Sequence, residues 1–66
     1  MTYVIEVRQV AESTTGLVTQ KGKVLKFESE DLAREFGKKE IEKSRYIASW
    51  EAISVTGAIN RGHEVR

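Results

Sequence analysis

The sequence predicts a small α+β domain, a two-layer β-β-α-β arrangement in which an antiparallel sheet of three to four strands carries one helix on one face. Three observations carry that expectation. Residues 27–45 have helical periodicity and a marked start, the segments on either side are extended in pattern, and 66 residues leave room for a single domain. The domain is expected to span residues 1–57, with residues 58–66 as a C-terminal tail or short edge strand.

In the first segment, residues 2–10, Tyr3, Ile5 and Val7 alternate with Val4, Glu6, Arg8 and Val10. That period of two describes a strand, with Tyr3, Ile5 and Val7 turned toward the helix. Residues 11–16 are polar, aperiodic and end in glycine, the composition of a loop. A second extended region, 17–27, is interrupted at Lys21 and Gly22, which form either a tight hairpin turn or a glycine bulge in one longer strand. Either way Leu25 and Phe27 share the core side, leaving Val24 and Lys26 on the other.

Ser29 is a good helix N-cap, and Glu30 and Asp31 place negative charge in the first turn. Leu32, Ala33, Phe36, Gly37 and Ile41 form the apolar stripe, while the pairs Glu30 with Arg34 and Glu35 with Lys39 support the exposed side. Two residues break the pattern. Gly37 costs about 1 kcal/mol relative to alanine inside a helix, which implies that another element approaches closely there. Glu40 falls within the stripe, which implies that the packed part of the helix ends near Ile41.

The last extended segment, residues 46–57, is rich in aromatic and branched residues. Its parity is ambiguous, because Trp50 and Ala52 lie on one face while Ile53 and Val55 lie on the other. Either a bulge resets the register or Trp50 faces away from the helix. The remaining residues, including Arg61, His63 and Arg66, read as a frayed tail. A two-layer fold then leaves Val4, Val10, Val18, Val24 and Trp50 on an uncovered sheet face, a surface suited to a partner protein or a second copy of the chain.

Chemistry is sparse. The chain has no cysteine and one histidine near its end, so no catalytic set, metal site or cofactor is expected. No glycine-rich loop leads into the helix to cradle a phosphate. The formal net charge of +1 argues against a dominant phosphate-binding role. No apolar run is long enough to span a membrane and no signal-peptide pattern is present, so a cytoplasmic protein is expected. A nucleic-acid alternative rests on Lys21, Lys23 and Lys26 at the hairpin and Lys38 and Lys39 on the helix, with Trp50 able to stack on a base.

The order of YVIEVRQV near the start, FESEDLAREF into the helix and WEAISVTG afterwards resembles the layout of small phage-encoded inhibitors, such as anti-CRISPR proteins and inhibitors of host RNA polymerase. The resemblance covers residues 3–57 and is one of layout. It implies a protein that occludes the surface of a host protein or nucleoprotein complex without catalysis. The arm-binding domains of phage integrases share a related β-β-β-α layout and belong to the nucleic-acid alternative. The leading expectation is a non-enzymatic protein-binding module that docks through Val4, Val24 and Trp50 with Lys21, Lys23 and Lys26. A homodimer without a further partner is the third possibility.

Overall fold

The computed structural model describes residues 1–10 and 14–65; Ala11 to Ser13 of the expected loop and Arg66 of the expected tail lie outside the described residues. Strand β1 (Tyr3–Gln9) is the centre of a three-stranded antiparallel sheet, flanked by β2 (Thr15–Leu17) and β5 (Ile47–Ser54). A separate two-stranded hairpin, β3 (Thr19–Gln20) and β4 (Lys23–Val24), leaves this sheet at β2. Its chain returns at Phe27, which exchanges two 2.8 Å backbone hydrogen bonds with Tyr3. The α+β class is as the sequence predicts.

Lys21 and Gly22 form a true hairpin turn, with φ of 55° and 80°. Positive φ at both central residues is the type I′ pattern, whose twist matches the flanking strands. The expected helix is shorter than its periodicity. Helix α1 spans Glu30–Phe36, with the Ser29 hydroxyl accepting from the Leu32 amide at 3.2 Å, and a π-helical turn follows over Gly37–Ile41. The amide of Glu42 bonds the Gly37 carbonyl five residues back at 3.0 Å. This wide turn removes the conflict at Glu40, because it turns Ile41 onto the buried face and leaves Glu40 exposed. Leu32 departs from the expected stripe and is half exposed.

The main correction concerns the C-terminal residues. Residues expected as strand end and tail form a second helix, α2 (Val55–Asn60), capped by the Ser54 hydroxyl, which accepts from the Gly57 amide at 3.0 Å. At its far end Gly62 has a φ of 90°, its amide bonds the Ile59 carbonyl, and the His63 amide bonds the Ala58 carbonyl, both at 3.0 Å. This pair of bonds around a left-handed glycine is the Schellman arrangement, which satisfies the last carbonyls of the helix. The sheet is therefore covered on both faces.

Each face has its own core. Ile5 and Val7 pack with Ala33 and Ile41, joined by Tyr3, Phe27, Phe36, Trp50 and Ala52. On the opposite face Val4, Ile53 and Ala58 form a second buried cluster with Leu17, Val24 and Val65 around it. The pairings Val7 with Trp50 and Val4 with Ile53 keep partners on a common face, so the half-buried Trp50 and the buried Ile53 pack on opposite sides without a bulge between them. Of the two expected alternatives, neither holds: Trp50 faces the helix, and no bulge separates it from Ile53, which packs with Val55 on the opposite face. Val18 also packs on the α1 side rather than the far side. A register shift does occur, one turn of pleat earlier: Arg8 pairs with Ser49 and Gln9 with Ile47, which leaves Ala48 as the extra residue.

Trp50 and Gly37 explain each other. A Cβ on Gly37 would overlap the six-membered ring of Trp50, 2.5 Å from Cη2 and 2.7 Å from Cε3. The glycine thus lets the indole lie directly under the helix, as its cost to the helix implied.

Candidate functional site

The residues expected to form one docking surface do not share a surface. Val4 has no solvent exposure and lies beneath α2, where no partner can reach it. Val24 is half-buried against the same cluster, whereas Trp50 belongs to the α1 face. The open apolar sheet face does not exist in this fold. The lysines are exposed, but they are spread around the molecule. Lys21 sits in the hairpin turn and Lys23 follows it, Lys26 borders a depression beside Ile59 and Val65, and Lys38 lies beside Trp50. Lys39 pairs with Glu35 at 3.8 Å.

Two features that the sequence reading did not identify define the remaining surface. The first is a charge cluster on the α2 face. Glu6 and Glu51 are direct cross-strand partners, an arrangement that is destabilising when left alone. Arg61 bridges them, donating from Nη1 to Glu6 at 2.8 Å and to Glu51 at 3.1 Å. The hydrogen bond to Glu51, followed by the charges of Glu6 and Glu51, raises the Arg61 pKa above its ordinary value. His63 Nε2 meets the other Glu6 oxygen at 2.6 Å, and both of these side chains are only 13% exposed. The Schellman turn at Gly62 aims His63 back at the sheet. The cluster thus fastens the end of α2 to β1 and β5.

The second feature is the free edge of β5. Strand β5 has eight residues and is an outer strand. Among the described residues, the backbone groups of residues 47–53 bond to no element but β1. Such an edge is usually guarded by lysine, proline or a bulge. Here Glu51 is its one charged residue, and the extra Ala48 disturbs only its beginning.

Depressions flank the edge on both faces. On the α1 side, open grooves of about 380 and 390 Å³ run between the strand and the outer side of the helix, the first lined by Glu30, Arg34 and Lys38 with residues 50–52, the second by Ile41, Glu42 and residues 47–50. On the α2 side, past the end of the short helix, a basin of about 510 Å³ spans the three strands, lined by Glu6 and Arg8 of β1, Thr15 of β2 and residues 49–51 of β5 with Arg61. The strand composition held no signal for the edge, since residues 47–54 lack the guards of an outer strand and read equally well as an inner one. The NRG sequence at Asn60–Gly62 was the signal for the end of α2.

No described helix is long and apolar enough to cross a membrane, and no group of three or more metal-ligating side chains converges among the described residues. Compared with protein-family models, curated proteins and solved structures, the chain matches none.

Proposed function

We propose that the chain is a small, non-enzymatic binding module that captures an extended segment of a partner protein along the free edge of β5. The observation that carries this reading is the eight-residue outer strand with an unpaired backbone edge and one charge. An added strand gains main-chain hydrogen bonds from the edge, while its alternating side chains enter the flanking grooves and supply selectivity. The charge cluster supports the same reading, because Glu6, Arg61, Glu51 and His63 are engaged with one another and act as a fastening. Occlusion of a host protein or nucleoprotein complex, the role implied by the phage-inhibitor layout, is one use of such an edge, and a cytoplasmic setting belongs to that use.

The test is capture of a partner from bacterial lysate with nuclease and at moderate salt, followed by amide exchange on the complex. A protein that survives both treatments and protects amides of residues 49–54 is the expected result. Protection confined to other elements would overturn the edge reading. The exposed Lys21 and Lys23 at the hairpin turn favour nucleic acid as the second reading, which predicts material that is lost with nuclease and released by salt.

A further inference from the structure

The groove beside β5 specifies what kind of segment it takes, given that the edge is the binding site. We infer that the added strand is an acidic one, presenting a carboxylate side chain to Lys38 over Trp50, and that it comes from a different protein and not from a second copy of this chain.

The charge pattern on the α1 side carries the first half. Glu30, Arg34, Lys38 and Glu51 are the charged residues that line the groove; Arg34 is held by Glu30 at 3.0 Å and Glu51 by Arg61 at 3.1 Å. Lys38 has neither an ion-pair partner nor a hydrogen bond among the described residues, although it stands at the middle of the edge beside Trp50. Side chains of an added strand point alternately to the two faces, so those on the α1 face meet this row. A carboxylate there meets the Lys38 ammonium beside the half-buried Trp50, and the opposite charges attract. On the α2 face Arg61 is already engaged by Glu6 and Glu51.

The position of the helix carries the second half. Helix α1 and its π-helical turn lie over β5 more than over β1, with the Trp50 ring beneath Gly37. Pairing two copies antiparallel through β5 requires a two-fold axis normal to the sheet, which puts both helices on one face. Neighbouring strands are about 4.8 Å apart, whereas packed helices need about 8–10 Å between axes. A single added strand, with no helix of its own over the groove, does not meet this obstacle.

The test uses a displayed library of random octapeptides selected on the full chain and, in parallel, on Lys38→Glu. Enrichment of Asp or Glu at alternate positions is expected on the parent, with at least tenfold weaker binding of those peptides to Lys38→Glu. Amide shifts on adding a selected peptide should fall within residues 48–54. Peptides that shift those amides but lack acidic residues, or that bind Lys38→Glu equally well, overturn the acidic assignment while leaving the edge reading intact. Failure to select any peptide, or shifts elsewhere, overturns both. Broadening of the β5 amides with protein concentration alone would show that a second copy is the occupant.

Discussion

The two helices cover opposite faces of one sheet, yet they are built in different ways. Helix α1 announces itself by a capping serine, acidic residues in its first turn, two i to i+4 ion pairs and an apolar stripe. Helix α2 has six residues, no charge within its span and a glycine in the middle. A helix so short is unstable alone, because the cost of nucleation is spread over too few bonds. It exists because both ends are capped and because Ala58 seals Val4 and Ile53. The contrast teaches that helix formation in a chain this small can depend on the surface beneath as much as on the local sequence.

The sharpest way to break the comparison is Val4→Asp. If the second face were open, the change would resemble a surface substitution and cost no more than about 0.5 kcal/mol. Beneath α2 it buries an unpaired carboxylate, and the expected loss is on the order of 4 kcal/mol, or failure to fold. Val10→Asp is the control, since Val10 is 62% exposed and should be nearly neutral. Urea unfolding of the two variants measures both, and equal midpoints would mean that α2 does not cover the face.

On the other face the corresponding test is Gly37→Ala. The new methyl gains about 1 kcal/mol of helix propensity, but it collides with the Trp50 ring, and overpacking of this kind costs about 1–3 kcal/mol. A net destabilisation of about 1 kcal/mol is expected, together with a red shift of indole fluorescence as the ring is pushed outward. In a Trp50→Ala background the sign should reverse, because only the propensity gain remains. A double-mutant cycle without that reversal would separate Gly37 from Trp50.

How much of this was legible follows from where the information lies. The cap at Ser29, the pairs Glu30–Arg34 and Glu35–Lys39, the strand face of Tyr3, Ile5 and Val7, and the close approach at Gly37 are all set by local pattern or by one unusual residue. The conflicts at Glu40 and Trp50 were also visible, but their resolution was not. A π-helical turn and a sheet covered on both sides each depend on contacts across the fold. Arg61 and His63 read as tail charges because their partner, Glu6, lies more than fifty residues away in sequence. The edge of β5 is a matter of strand order, which hydrophobic alternation does not encode.

Gly62→Ala weakens α2 without touching its packing. A side chain at φ of 90° is strained, and the Schellman bonds depend on that conformation. A cost of about 1–2 kcal/mol is expected, smaller than that of Val4→Asp. The local consequence should be specific: faster amide exchange at Gly62 and His63 and release of the His63 ring from Glu6, with α1 protection falling only as global stability falls. An equal loss of protection at α1 beyond that share would show that the two faces open as one unit.

The smallest expected effect is at the hairpin that feeds the α2 side through Val24. Lys21 holds a left-handed φ of 55°, where a long side chain is less favourable than asparagine, and Asn-Gly is the preferred pair for this turn. Lys21→Asn should therefore stabilise the protein by a few tenths of a kcal/mol, and exchange of the Leu25 amide, which bonds the Val18 carbonyl, should slow. Because Val24 packs against the cluster under α2, part of the gain should also reach Ala58 and its neighbours. The substitution also removes a charge from the lysines around the turn. Peptide binding at β5 should be unchanged by it, whereas nucleic-acid binding through the hairpin should lose affinity and show a shallower salt dependence. One variant thus asks whether the turn serves the fold or the ligand.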